Sequence, residues 1–425
     1  MTLTLFDTAG SVSAETAPSV LEPALEGDWW DLSGTIHEYS YLTHNFFRYY
    51  GKFPSALAKQ VIQEFLPLER GGRILDTYCG CGTTLVEACL AGHHSVGTDI
   101  NPLAILATTV KTRPLAEQEL ERSGHAILGE AGDSLRGEAL PSEAAGLSPE
   151  ELDKWFPGQA ASELLALRQA VYSLDNGPVK DFYLLTFAAI IRRVSTAFDA
   201  EVRPHFNKNK PGRQPLEAFA RKALDMRKRL REFGSVVRPE NQAAGYLADN
   251  RALPTHPEFA PESFDLALTH PPYLNCFDYI PVYRFELQWL RDLDRQWSLQ
   301  ENNLLGLPRL DYAAVRQQET RSWPAKPKVM EEYRLGNLKM LEQLFPLLRP
   351  GAACCVVIGD STLNGVLLPV HQWFIEMGRE VGFRHARTIY RTTHYGTGKY
   401  AYEDRSHYHG AAQKRDAILV FKKPD

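Results

Sequence analysis

The sequence predicts an α/β protein built on one doubly wound, largely parallel sheet that a helical insertion splits in two. Three observations carry that expectation. Residues 71–99 read strand, glycine-rich turn, helix, strand within some thirty residues, the βαβ unit of a parallel sheet. Strand-length segments reappear at 264–269, 352–358, 384–390 and 417–421, the first stopped by Pro271-Pro272. Between the two blocks, residues 115–240 space their apolar side chains as helices do.

The elements follow in order. Residues 1–30, rich in Ala, Ser, Thr, Glu and Pro, read as a mobile acidic arm. Residues 31–114 hold the first half of the sheet. Tyr39, Tyr41, Phe46, Phe47, Tyr49 and Tyr50 make a dense aromatic segment, after which Pro54 opens a helix with Leu57, Val61, Ile62 and Phe65 on one face. A strand ends at Asp76, a helix covers Thr84–Leu90, and a second strand runs Ser95–Asp99. In the insertion, 115–240, apolar faces come from Leu164, Leu165, Leu167 and Val171, from Phe182–Ala189, and from Leu216–Leu224. Residues 241–425 return to the sheet: strand 264–269, a helical stretch to Leu348, strand 352–358, a helix near Val370–Val381 and two closing strands.

Composition bounds the function classes. The chain has 425 residues, 44% of them hydrophobic and 11% aromatic, enough for a sizeable core. No run approaches the roughly 18 apolar residues of a membrane span and no basic-then-apolar leader opens the chain, so a soluble cytoplasmic protein is expected. Six cysteines (Cys79, Cys81, Cys89, Cys276, Cys354, Cys355) are too few for a disulfide framework in so long a chain. Cys79, Cys81, Cys89, His93 and His94 lie close in sequence but lack paired Cys-x-x-Cys spacing, so no metal is expected.

The net charge of −5 hides an asymmetry. Residues 1–47 carry seven acids and no Lys or Arg, leaving the rest of the chain at +2. Within Arg192–Arg231, twelve Lys/Arg face four Asp/Glu, the footprint of a surface that holds a polyanion, although a solvated helical face would look the same.

Two motifs carry chemistry. In Asp76-Thr77-Tyr78-Cys79-Gly80-Cys81-Gly82-Thr83-Thr84, the turn after a parallel strand lies at the carboxyl edge of the sheet, where such folds bind ligands. Gly80 and Gly82 let backbone approach a ligand, and Asp99, ending the next strand before Ile100, is placed to accept from both ribose hydroxyls. Leu85 stands where a dinucleotide fingerprint has its third Gly, which favours a nucleoside without phosphates, such as S-adenosyl-L-methionine. The second motif, Thr269-His270-Pro271-Pro272-Tyr273, follows a strand. The double proline fixes the backbone and leaves carbonyls without local donors, and Tyr273 offers a face for a planar ring.

Taken together, Asp76–Leu90 resembles the cofactor loop of bacterial amino-group DNA methyltransferases, and Thr269–Tyr273 resembles their catalytic tetrapeptide with its preceding residue. The likeness extends to His44–Pro54, similar to the family's aromatic cofactor-pocket segment, and to Ala248-Asp249-Asn250-Arg251, similar to its strand end near the cofactor adenine. The resemblance implies a Rossmann-like class I methyltransferase fold, with 31–114 as cofactor-binding half and 241–425 as catalytic half. It implies S-adenosyl-L-methionine as cofactor and a base rotated out of double-stranded DNA as target. By resemblance Asp76, Tyr78, Gly80, Gly82, Thr83, Thr84, Asp99 and Ile100 hold the cofactor, with Lys52 and Phe53 at its methionine end and Asp249 and Asn250 at its adenine. His270, Pro271, Pro272 and Tyr273 hold the target.

The family usually carries Ser, Asp or Asn where this chain has His270. A neutral imidazole accepts one hydrogen bond and a protonated one none, so activity is expected to fall as pH drops through the pKa of His270. By resemblance to the family, a non-acidic residue here, after Thr269, leans toward the N4 amine of cytosine. Adenine N6 is the near alternative, followed by an RNA amine and a non-catalytic DNA-binding subunit. A partner restriction endonuclease is a further implication. The expected DNA contacts lie in the basic tract of the insertion (Arg203, Lys208, Lys210, Arg213, Lys228, Arg229) and in the 392–415 segment (Lys399, Arg405). Phe285, Trp289 and Leu290 read as core.

Overall fold

The computed structural model describes residues 28–30, 32, 34–66, 69, 71–137, 146–253, 256–274, 279–291, 293, 327–363, 366–391 and 416–425. Eight strands form its main sheet: β1 (Asp28–Trp30), β2 (Arg73–Asp76), β3 (His94–Asp99), β4 (Ala243–Leu247), β5 (Phe264–Thr269), β6 (Leu348–Gly359), β9 (Arg384–Arg391) and β10 (Asp416–Lys422). Strands β7 (Ser361–Leu363) and β8 (Val366–Leu368) make a separate antiparallel pair. The order in the main sheet is β1-β9-β10-β6-β5-β2-β3-β4. Only β10 runs against its neighbours. A parallel sheet with one reversed strand near an edge is the Rossmann-like methyltransferase arrangement that the resemblance implies.

The helices are α1 (Ile36–Tyr39), α2 (Ser55–Phe65), α3 (Thr83–Ala91), α4 (Pro102–Thr112), then α5 (Glu117–Ser134) to α9 (Pro215–Val236) in the insertion. Its middle members are α6 (Pro149–Trp155), α7 (Gln159–Tyr172) and α8 (Pro178–Val194), followed after β5 by α10 (Tyr279–Val282), α11 (Arg284–Trp289), α12 (Pro327–Leu344) and α13 (Val370–Val381).

Pleating assigns alternate residues to opposite faces. Leu75, Ala267, Cys354, Val356 and Leu419 face the layer of α12 and α13, whereas Ile74, Leu266, Leu268, Cys355 and Ile418 face α2. This places Cys354 and Cys355 in the core, one on each side. The helix stops are local: Gly92 ends α3 at φ 84°, and Asn101 caps α4 by accepting from the Leu103 N–H.

Three boundaries differ from the sequence reading. The arm ends earlier than 30, because Asp28–Trp30 pair in parallel with Ile389–Arg391; residues 1–27 lie outside the described residues. Strand β6 starts at Leu348 instead of 352. Gly351 takes φ 73° within this strand, which pairs Leu348 with Phe264 across a register shift. Finally, the insertion is less separate than its sequence span suggests. One apolar cluster joins Phe182, Phe187, Phe219 and Met226 to Phe47, Val86, Cys89 and Leu106 of the first half, and to Tyr283, Phe285, Trp289 and Leu290 beyond β5. The Phe285–Trp289 stripe is therefore core, but core shared with the insertion.

Candidate active site

Sheet order decides where the site lies. From β2 the chain proceeds outward through β3 and β4, then returns to β5 on the other side of β2, so the switch point lies between β2 and β5. Thr77 follows β2 and Thr269 ends β5, and their hydroxyls are hydrogen-bonded at 2.9 Å. Two motifs 192 residues apart are thus side by side.

The glycine loop is held from below. The Thr84 hydroxyl donates to Asp76 Oδ2 at 2.6 Å and the Tyr78 N–H to Oδ1 at 3.1 Å. The Thr108 hydroxyl donates to the Gly80 carbonyl at 2.9 Å, and the buried Lys111 ammonium to the Cys81 carbonyl at 2.6 Å. Gly82 has φ 76°, and a Cβ there would lie 2.8 Å from Thr108 Oγ1. Gly80 has φ 50°, and its Cβ would meet the Tyr49 ring at 3.1 Å. Both positions require glycine.

Acidic groups cluster at this edge. Asp99 Oδ2 accepts from the Gly80 N–H at 3.0 Å and Oδ1 from the Asn101 N–H at 2.8 Å, leaving each oxygen a further lone pair. Burial pushes its carboxyl up to about 6, against these N–H groups, which pull it down. Burial takes Asp76 further, to about 7, opposed by Thr84 and Tyr78. Asn250, buried, donates to the Thr77 carbonyl at 2.7 Å, which seats the 248–251 turn against the glycine loop. Asp249 is held by Arg251, whose guanidinium reaches both oxygens at 2.8 and 2.6 Å.

Lys52 and Phe53 share a pocket with Tyr39, Ser40, His44, Pro54, Ser55 and Thr83. Thr83 Oγ1 is buried there with no hydrogen-bond partner among the described residues. An orphaned hydroxyl beside a lysine, a half-buried carboxylate with spare lone pairs and two glycines with φ above zero fit a nucleoside carrying a zwitterionic tail. Beneath the pocket, Glu87 Oε1 accepts from the Tyr41 hydroxyl at 2.5 Å and contacts His44 Nε2 at 2.6 Å. Burial pushes His44 down to about 4.

His270 lies between Phe53 and Tyr273, with ring centroids 5.3 and 5.2 Å away. Its Nε2 is buried and has no partner among the described residues. Burial, with the charge of Arg391, pushes its pKa down to about 3, so the imidazole is neutral over the whole physiological range. The expected loss of activity through its titration therefore moves below any useful pH. The Tyr333 hydroxyl takes the Pro272 carbonyl at 2.9 Å, whereas the Pro271 carbonyl accepts nothing among the described residues.

Of the expected DNA contacts, Lys399 and Arg405 lie outside the described residues. Arg203, Lys208 and Lys228 are exposed. Lys210 is not: its ammonium, 5% exposed, pairs with Asp199 at 2.9 Å and donates to the Ala197 carbonyl at 2.7 Å. Arg213 pairs with the same Asp199 at 3.3 Å, and Arg229 with Asp225 at 2.8 Å. Sequence reasoning missed Glu87, Thr108, Lys111, Tyr333 and Asn337, which donates nothing to the motifs but accepts from the Tyr78 hydroxyl at 3.3 Å. Glu87, an acid inside the apolar run of α3, carried a signal; Tyr333 and Asn337 carried none. The nearby cysteines serve as buried packing and His93 Nδ1 accepts from the Gly72 N–H.

The N6/N4 DNA methylase family model matches residues 20–109, which span the aromatic segment, the glycine loop and Asp99. The type II methyltransferase M.BsoBI of Geobacillus stearothermophilus is 24% identical over 90% of this chain and 86% of its own length. The type II methyltransferase M.MvaI of Kocuria varians is 25% identical over 59% of this chain and 58% of its own. Among solved structures, a SAM-dependent methyltransferase of Methanosarcina mazei aligns over 86% of this chain and 98% of its own with 11% identity and a TM-score of 0.31. Over most of its length the chain is thus similar to amino-group DNA methyltransferases, a family whose cofactor is S-adenosyl-L-methionine.

Proposed function

We propose that the protein methylates the exocyclic N4 amine of a cytosine rotated out of duplex DNA, as the modification half of a type II restriction-modification system. The observation that carries this reading is the Thr77–Thr269 hydrogen bond of 2.9 Å, which sets the cofactor loop against His270–Tyr273. The bound cofactor supplies a methyl group made electrophilic by its sulfonium. What remains for the protein is alignment and preparation of a weak nucleophile.

An exocyclic amine is weak because its lone pair is delocalised into the ring. An acceptor placed on one of its hydrogens favours the pyramidal nitrogen that exists only near the transition state. The Pro271 carbonyl is open for that role. The neutral His270 ring, with Nε2 unpartnered among the described residues, can supply a second acceptor. Tyr273, edge-on to His270 at 90°, presents a face on which the everted base would stack. Asp99 would take the ribose hydroxyls and Lys52 the carboxylate of the cofactor. A neutral acceptor in place of an acidic one supports cytosine as the target, and the type II names of both curated relatives support the restriction-modification context.

The test is transfer of tritiated methyl to duplex DNA, followed by modified-base sequencing of DNA from cells expressing this chain alone. N4-methylcytosine in a fixed sequence context is expected. N6-methyladenine instead would overturn the choice of base, and label in tRNA alone would overturn DNA as substrate.

A further inference from the structure

Residues 196–207 fold back on themselves as a short hairpin that shows two aromatic rings to solvent. Ala197 pairs with Phe206, the Phe198 N–H donates to the His205 carbonyl at 3.0 Å, and the Asn207 N–H to the Thr196 carbonyl at 2.9 Å. Half-buried cations hold it. Arg192 reaches the carbonyls of Glu201 and Arg203 at 2.8 and 2.9 Å, and Lys210 that of Ala197 at 2.7 Å. The Tyr50 hydroxyl donates to the Glu201 carbonyl at 2.8 Å, and Arg48 to that of Asp199. Tyr50 adjoins Tyr49, whose ring abuts Gly80, so the hairpin is anchored beside the cofactor loop.

Phe198 and Phe206 stay 40% and 47% exposed. The orientation of Phe206 is set by Trp155, which it meets edge-on at 5.9 Å. Arg203 and Lys208, on either side of it in sequence, are exposed and have no acidic partner among the described residues. Within the basic tract most other cations are already paired: Arg221 with Glu217, Arg227 with Glu121, Arg231 with Glu117.

We propose that the 196–207 hairpin is a preformed nucleic-acid probe, in which Arg203 and Lys208 take backbone phosphates while Phe206 stacks on a base left unstacked where the target is rotated out of the duplex. The inference rests on the DNA reading above and narrows it from a forty-residue basic tract to one element. Free cations flanking an exposed, oriented ring match a locally opened strand, which offers charge outside and unstacked π-faces inside.

Binding is measured by anisotropy on a mixed-sequence duplex, with the demethylated cofactor present so that no turnover is needed. Phe206→Ala is expected to weaken binding roughly tenfold to a hundredfold with its salt dependence unchanged. The double variant Arg203→Ala/Lys208→Ala should lower the salt slope by about two. Phe206→Trp should retain affinity and show a larger fluorescence quench on adding DNA than the wild type, whose Trp155 lies against the same position. Cofactor affinity, unchanged in all three, reports intact folding. Wild-type affinity, slope and fluorescence in these variants would overturn the hairpin assignment. So would a change confined to self-association in sedimentation, which would mark a contact between copies. Transfer of methyl to DNA by the wild type is scored separately, so failure of the activity and failure of the hairpin are distinguishable.

Discussion

At the scale of single residues, the proposed function gives Asp99 a part in cofactor binding and His270 a part in the chemistry. Asp99 must be ionised to accept two hydroxyl hydrogens, and burial holds it near 6. Ligand hydroxyls favour the charged form, so cofactor affinity should rise with pH up to the value of the free protein and fall below it. Calorimetric titration between pH 5 and 8 is expected to show that acid limb. Asp99→Ala should abolish the limb and cost about 3 kcal/mol, roughly a hundredfold in Kd. His270 titrates too low to contribute, and His270→Asn, which keeps an acceptor, should leave the limb in place. His270→Ala is expected to lower kcat about tenfold to a hundredfold in single-turnover assays while Kd for the cofactor stays within a factor of about two. Equal losses in both would place His270 in cofactor binding.

At the scale of elements, the glycine loop depends on the helix behind it. Gly82 has the left-handed φ of 76° and faces Thr108 of α4 so closely that any Cβ meets its hydroxyl at 2.8 Å. Gly82→Ala should therefore destabilise the protein by about 1–3 kcal/mol and displace the loop, lowering both Tm and cofactor affinity. Adding Thr108→Ala should recover part of the stability, because it removes the clash but leaves the strained φ. These relations were partly legible. The Gly-x-Gly turn, the Pro-Pro stop and Asp99 at a strand end are local patterns, each declared within a few residues. That Thr108 would be the neighbour of Gly82, or that Tyr333 of α12 would engage the Pro272 carbonyl, depends on helices returning from elsewhere in the chain.

Across the whole molecule, a shared core and a buried acid set stability. Because the insertion packs Phe187 against Trp289 beyond β5, at 6.0 Å, and shares its cluster with Val86 and Leu106, the two parts should unfold together. A single calorimetric transition is expected, and Trp289→Ala should cost about 3–5 kcal/mol while lowering the one Tm instead of splitting it. Asp76 contributes the pH dependence. Its folded pKa, about 7, lies above the ordinary 3.8, so the native state binds its proton more tightly than the unfolded chain. Its contribution is full below about pH 4 and is lost as pH rises through 7. The cofactor-free protein should thus gain Tm between pH 8 and pH 6, and Asp76→Asn, which cannot ionise, should raise Tm at pH 8 and reduce that dependence, the rest coming from Asp99 and Glu286, whose carboxyls burial also pushes up.

By itself the sequence determined the α/β class, the helical character of 115–240, the two motifs and the family they resemble, since all of these follow from the order and spacing of neighbouring residues. Only the tertiary structure decided that Thr77 and Thr269 touch, that burial pushes the pKa of His270 down to about 3, and which cations of the basic tract are left without an acidic partner. Lys210 and Arg203 are alike as letters in one basic run; one is spent on Asp199 inside a loop, the other faces solvent. Burial and pairing are properties of what surrounds a side chain, and those surroundings come from segments up to hundreds of residues away.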